Sequence, residues 1–257
     1  MKTLNRSRRV RDPHQKDLLV ELLRFVRVLK PRAIMIENVP ALARDHRWTR
    51  FVSELRRAGY DCEYKVLDTA DYGVAQRRKR LILLAGRFGA PPFATPAKKR
   101  LSVEDVIASL PPAGKSRDPL HDFPERRSEE VLELIRRIPK DGGSRTALPR
   151  EAQLKCHRKM DGFKDVYGRM RWKDVSPTIT GGCINPSKGR FLHPTKHRAI
   201  TLREAALLQG FPKRYFISLR EGKYRAAELI GNALPPEFIR RQALQVFASL
   251  KDKANSQ

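Results

Sequence analysis

Ala33-Ile34-Met35-Ile36-Glu37-Asn38-Val39-Pro40 is a run of four apolar residues that ends on an acid and an amide, with a proline two residues on. It predicts a short strand over 33–36 that stops at 37–40. Apolar strands with little alternation are typical of parallel sheets covered on both faces. Immediately upstream, residues 17–30 carry charges at Glu21, Arg24, Arg27 and Lys30, a three-residue spacing that marks one polar stripe. The rest of that segment is apolar, which predicts a helix buried on most sides. Asp12-Pro13 precedes it and Lys30-Pro31 ends it. Downstream, a second helix is expected over 47–58, closed by Gly59, followed by strands over 62–67 and 80–85. The opening third therefore reads as an α/β sheet.

From Gly86 to about Pro177 prolines and glycines recur and long periodic segments are scarce, which predicts a second, loop-rich domain. Within it, Ser102-Val-Glu-Asp105 has the form of a helix start and 129–138 that of one more helix. Order returns at Thr201-Leu-Arg-Glu204, a capping box opening a helix over 202–209 that Gly210-Phe-Pro212 stops. Pro235-Pro236 precedes a last helix, from Glu237 to about Leu250.

Composition narrows the function. The 257 residues hold 54 Lys and Arg against 28 Asp and Glu, a formal charge of +26. Such a charge resists compaction and favours a polyanionic partner, nucleic acid before an acidic membrane. Arg77, Arg78, Lys79, Arg80, Arg87, Lys98, Lys99 and Arg100 fall in a stretch, 76–100, that has no acid. Together with the basic region 140–173 they favour a surface that tracks phosphates. The longest unbroken apolar run, 81–85, is far short of the ~20 residues that span a bilayer. The first residues carry no secretory signal. Cys62, Cys156 and Cys183 form no CxxC pair, so a disulfide scaffold is excluded and a reducing cytosol fits. His193-Pro-Thr-Lys-His197 is spoiled as a helical metal pair by Pro194, and no metal site is expected.

Four segments in order carry a resemblance: Glu37-Asn38-Val39-Pro40; Asp71-Tyr-Gly-Val-Ala-Gln-Arg-Arg-Lys-Arg80; Arg198-Ala-Ile-Thr-Leu-Arg-Glu-Ala-Ala-Leu-Leu-Gln-Gly-Phe-Pro212; and Gly231-Asn-Ala-Leu-Pro-Pro236. They resemble the later motifs of DNA (cytosine-5) methyltransferases. Ser176-Pro-Thr-Ile-Thr180 and Asn185-Pro-Ser-Lys-Gly-Arg-Phe191 resemble the stretch after that family's target recognition region. Ala75 stands where proline is common and Leu234 where valine is usual. The family's Gly-rich loop for S-adenosylmethionine and its Pro-Cys-Gln loop, which carries the nucleophile, are absent, and none of the three cysteine contexts matches. Met1 falls just after the point where the Pro-Cys-Gln loop would end.

The resemblance implies a fold and a set of roles. The fold is a partial S-adenosylmethionine-dependent methyltransferase sheet, Rossmann-like, with an inserted target recognition domain. The expected divisions are 1–88 and 225–257 for the catalytic part and 89–224 for recognition and hinge. Cytosine C5 becomes nucleophilic only after a thiolate adds at C6. Glu37 matches the acid that assists at ring N3, a role that calls for a raised pKa. Arg78 and Arg80 match residues at the flipped base and its phosphates, with Gln76 and Arg77 beside them. Asn232 matches a residue on the cofactor side. Arg158, Lys159, Arg169 and Arg171 are placed to reach phosphates or guanine edges.

Without the nucleophile and most of the cofactor pocket, this chain alone is expected to be inactive. Either a complementary chain supplies the two missing loops or a misplaced start codon hides them upstream in the same chain, in a bacterial, cytoplasmic and nucleoid-associated restriction–modification setting. The strand over 33–36 would otherwise be a bare apolar edge, leaving the isolated chain poorly soluble. The alternative is a catalytically inactive DNA-binding remnant or regulator. A general RNA-binding protein would leave the ordered motifs unexplained.

Overall fold

A computed structural model of the protein describes residues 18–158 and 164–254. Its helices are α1 (Leu18–Leu29), α2 (His46–Arg57), α3 (Val103–Ile107), α4 (Pro119–Asp122), α5 (Glu129–Arg137), α6 (Lys155–Arg158), α7 (Leu202–Leu208), α8 (Gly222–Asn232) and α9 (Pro236–Ala254). The strands are β1 (Ala33–Asn38), β2 (Asp61–Asp68) and β3 (Lys79–Gly86). The chain divides into two compact units. Met1–Val66, Leu81–Pro92 and Val246–Gln257 form the first, and Leu67–Arg80 with Phe93–Gln245 the second. Residues 67–80 and 225–245, expected with the catalytic part, thus cluster with the loop-rich region.

The first unit is built on a sheet of order β1-β3-β2. β1 runs antiparallel to β3, with Ala33 opposite Gly86, Glu37 opposite Ile82 and Asn38 opposite Leu81. This corrects the parallel pairing expected for β1. A continuous apolar run reports burial on both faces, which β3 has, and burial does not encode strand direction. Leu81, Leu83 and Ala85 of β3 pack into a core with Trp48, Phe51, Val52 and Leu55 of α2 and with Leu23 and Val26 of α1. Asp45 caps α2 by accepting from the Arg47 amide, and Arg47 also clasps its carboxylate, holding it well below the usual carboxylate range.

Two consequences follow for α1 and β1. Burial of α1 is confined to Leu23 and Val26, while Leu18, Val20, Phe25, Val28 and Leu29 stay exposed. The expectation of a helix buried on most sides is corrected: its apolar faces point several ways, and within this chain α2 and the sheet cover one of them. β1 lies at one end of the strand order, as an edge strand. Asp12-Pro13, expected to precede α1, lies outside the described residues.

The second unit is helical and loop-rich. Its main core joins Val103 and Ile107 of α3, the buried face of α7 and Ala226, Ala227 and Ile230 of α8. Both expected helix starts form with reciprocal caps, Ser102 with Asp105 and Thr201 with Glu204. A smaller cluster gathers Leu134, Ile135, Ile138, Tyr167 and Leu192. Tyr72 meets Phe238 of α9 edge-on at 5.3 Å, and the Gln242 side-chain oxygen accepts from the Ala94 amide. Helix α8 runs through Gly231 and Asn232, a segment expected to open the last helix. A glycine inside a helix is a poor helix former, which hid this element from the sequence.

A basic cleft and an amide staple in the second unit

The segment 68–78 turns on Gly73, whose φ of +82° favours glycine. Around it, Thr69 donates from its amide to the Arg78 carbonyl at 3.0 Å and from its hydroxyl to the Gln76 carbonyl at 2.9 Å. The returning strand then pairs with the chain near Ser176: Arg77 N–H donates to the Ser176 carbonyl and Ser176 N–H to the Ala75 carbonyl, both at 2.9 Å. The backbone at Gln76 is thereby fixed before any side chain is considered.

The side chains tie the motifs together. Gln76 is 0% exposed. Its amide nitrogen donates to the Gln209 side-chain oxygen, and its own oxygen accepts from the Ile179 amide at 2.7 Å. Gln209 in turn donates to the carbonyls of Ile230 and Ala233 at 2.9 and 2.6 Å. Two buried amides therefore staple the segments around 76, 179, 209 and 231. A buried amide that satisfies its partners fixes one arrangement, because leaving any of them unpaired is costly. Arg78 belongs to the same bracing. It is buried, its amide donates to Asp68 at 3.0 Å, and its guanidinium donates to the Ile179 carbonyl at 3.0 Å.

Beside the staple, Arg77 is exposed and lines a cleft of about 540 Å³ with Arg171, Lys188 and Arg190. Those four cations face two carboxylates of the same cleft, Asp165 and Asp174. Arg171 lies 3.9 Å from Asp174 in an ion pair well open to solvent, whereas Arg190, 3.3 Å from Asp165, is largely covered and also donates to the Gly142, Gly143 and Arg169 carbonyls. Arg171 keeps most of its reach toward an external anion, while Arg190 braces the wall of the cleft. Lys188 and Arg190 were not singled out from the sequence, although the Asn185–Phe191 stretch that holds them was.

The expected site residues are thus distributed unevenly. Arg77 and Arg171 line the cleft. Arg158 is exposed on α6 and donates to the Gln153 and Glu151 carbonyls, while Lys159 lies outside the described residues. Arg169 is corrected. It is 0% exposed and donates to the carbonyls of Ile135, Ile138, His193 and Lys196 and to His197 Nδ1, so it braces the unit from inside. Gln76 is likewise an internal staple and not a surface contact. Arg80 is half-buried and donates to the Lys79 carbonyl at 2.7 Å. In the first unit, Glu37 is half-buried on β1, just before Asn38, whose side chain accepts from the Val39 amide at 2.8 Å.

Arg203 and Glu204 serve the framework: Arg203 pairs with Asp118, and Glu204 takes both bonds of Arg198 at 2.7 Å. Burial raises the pKa of the Glu204 carboxyl, but Arg198 and the Thr201 cap outweigh it and hold the carboxyl below its ordinary value. His193, 3.8 Å from Glu204, is pushed down to about 4, chiefly by burial. Among the described residues no group of three or more His, Cys, Asp or Glu is placed to hold a metal ion. Burial pushes the Cys183 thiol up to about 12 and also raises that of Cys62, which keeps both as unreactive thiols. Asn232 is an exposed amide at the last position of α8. One amide is not a pocket for a nucleoside sulfonium, so the described residues do not by themselves fit such a donor.

A small α/β unit with a helical, cation-lined companion defines the class. The model of the C-5 cytosine-specific DNA methylases matches residues 5–248, and the chain belongs to that family. It is 37% identical over 233 residues to the type II methylase M.HgiDII of Herpetosiphon aurantiacus, covering 85% of this chain and 65% of that protein. To the type II methyltransferase M1.BsuMI of Bacillus subtilis it is 32% identical over 243 residues, covering 90% of this chain and 55% of the relative. The chain thus spans less than two thirds of either relative's length. A DNMT2 variant from Spodoptera frugiperda shares its α/β fold, with a TM-score of 0.55 at 15% identity over 96% of this chain and 76% of that one. No helix among the described residues is long and apolar enough to cross a membrane.

Proposed function

We propose that this chain holds the recognition and general-acid portion of a type II DNA (cytosine-5) methyltransferase, completed by a segment that carries the Gly-rich and Pro-Cys-Gln loops. The carrying observation is the staple through Gln76 and Gln209. It holds the Gln76–Arg80, Ser176–Thr180, Leu202–Pro212 and Gly231–Pro236 segments in one arrangement beside a cationic cleft. The donor, S-adenosylmethionine, supplies an electrophilic methyl group when bound, and its pocket lies mainly in the completing segment. The chemistry left to this chain is narrower. Glu37 donates a proton to cytosine N3 as a thiolate from the other segment adds at C6. Arg80 holds the displaced nucleotide, Arg78 positions that stretch through Ile179, and Asn232 borders the donor. Arg77, Arg171 and Lys188 track duplex DNA. The middle of the chain is the inserted recognition domain, and the protein works on the DNA of a bacterial cytoplasm.

The completing segment has a seat in this reading. The exposed apolar side chains of α1 and the edge of β1 offer such a segment a surface to pack on. Co-expression with a segment carrying the Gly-rich and Pro-Cys-Gln loops is expected to give methyl incorporation into duplex DNA, and Glu37→Gln to abolish it while DNA binding stays. Incorporation that is indifferent to Glu37→Gln would refute the role of Glu37.

A second reading is a DNA-binding remnant, favoured by the cleft being formed from this chain's residues alone. It predicts steeply salt-dependent binding with no methyl transfer under any complementation.

A further inference from the structure

The second unit contains a cavity that methyl transfer leaves unused. Its volume is about 320 Å³, within the range of small-molecule sites. The floor is apolar, formed by Leu120, Ile184, Ile200 and Leu202. His121 forms part of the wall and is 2% exposed, with Nδ1 2.8 Å from the Thr201 hydroxyl and Nε2 2.9 Å from the Pro111 carbonyl. Both ring nitrogens are engaged, so His121 is a fixed element of the wall.

The mouth has a different chemistry. The Lys223 ammonium lies 5.3 Å from the centre of the Phe123 ring and 5.5 Å from that of Tyr224. These rings are 42% and 65% exposed, an unusual amount of aromatic surface for one rim. Arg126 is exposed on the same rim.

Most charges around the cavity are already matched. Arg198 is bound by Glu204, Arg127 by Glu125, and Asp122 accepts from the amides of Gly114, Ser116 and Arg117. Lys223 and Arg126 form no ion pair among the described residues. A closed apolar floor, two ring faces and two unneutralised cations suit a planar ring that carries an anion. A neutral apolar ligand would leave the cations unanswered, and an extended acidic peptide would leave the floor unfilled.

We propose that this cavity is a nucleotide site: it takes a nucleobase against Phe123 and Tyr224, with the phosphate toward Lys223 and Arg126. The base occupies the ring face that the Lys223 ammonium now covers, and the phosphate offers that ammonium a stronger partner. Stacking on aromatic side chains tolerates any base because every base has a π-face. The ligand chemistry, a nucleoside monophosphate unit, has two sources, a free nucleotide or an unpaired nucleotide at the end of a DNA strand. The proposal is independent of the methyltransferase reading, since it concerns binding and needs no completing segment.

The test is calorimetric titration of the full chain with dAMP, with dCMP, and with a short duplex bearing an unpaired 3′ nucleotide against its blunt counterpart. Saturable binding is expected, weakened ~10-fold or more by Phe123→Ala and by Lys223→Gln, and unchanged by Arg50→Gln, an exposed side chain of α2 in the first unit. Binding of the mononucleotides supports the site with free nucleotide as its source. Preference for the unpaired end, lost in the same two variants, supports it with DNA as its source. No saturable binding of any probe, or binding indifferent to both rim variants, overturns the proposal. Lys223→Gln decides the matter if Phe123→Ala lowers the melting temperature.

Discussion

A Cβ placed on Gly231 would lie 2.1 Å from the Thr180 carbonyl carbon and 2.2 Å from the Gly181 nitrogen. Helix α8 therefore lies directly against the backbone at 180–181, and only glycine permits that approach. Neither partner is the end of a flexible side chain, so the contact cannot be relieved by a rotamer change. Gly231→Ala is expected to destabilise the protein by about 3 kcal/mol or more. The measurement is the urea midpoint. A change under roughly 1 kcal/mol would show that α8 can withdraw at little cost.

Gln209→Leu removes the acceptor of the Gln76 amide and the donor to the Ile230 and Ala233 carbonyls. The expected loss is about 2–4 kcal/mol, from buried groups left without partners. Gln76→Leu should cost a similar amount, and the double variant less than the sum, since both act on one network. Strict additivity in equilibrium unfolding would mean that the two amides act separately.

Arg169 and Arg171 should behave oppositely although they are two residues apart. Arg169→Met leaves four carbonyls and a histidine without their donor and is expected to cost about 3 kcal/mol or more of stability. Arg171→Gln should change stability by less than ~0.5 kcal/mol. Its effect should appear in DNA binding, with weaker affinity on every sequence and a salt slope reduced by about 1. Filter binding across a salt series, beside thermal melts, separates the two.

His193 gives the fold a pH dependence. Burial lowers its pKa in the folded state from 6.5 to about 4, with the Glu204 carboxylate opposing the shift. The unfolded chain therefore binds a proton that the folded chain refuses between about pH 6.5 and 4. Stability is complete above the upper value and falls as the pH drops through that window, by up to roughly 3 kcal/mol. His193→Gln is expected to flatten this slope in urea unfolding measured at pH 7, 6 and 5.

Much of this protein was legible in local sequence. The capping boxes at Ser102 and Thr201 marked helix starts because a cap is satisfied within three residues. The strands expected over 33–36, 62–67 and 80–85 form, each two residues longer, and helix α2 was visible too, because periodicity and chain punctuation are local. The ordered motifs gave the family, which the match over residues 5–248 shows.

Tertiary structure decided what depends on partners distant in the chain. The direction of β1 against β3 rests on pairing across more than forty residues, about which an apolar run is silent. Gln76 and Arg169 read as DNA contacts because an amide or guanidinium has the same formula on a surface as in a core. What makes them internal is the acceptors that packing brings to them, Gln209 for one and the carbonyls of Ile135 and His193 for the other. Gly231 was read with the opening of the last helix, and only the backbone at Thr180 shows why a glycine stands there inside α8. Composition and local pattern determine which elements form and what charge they carry; long-range packing determines which polar groups remain outside to meet a ligand.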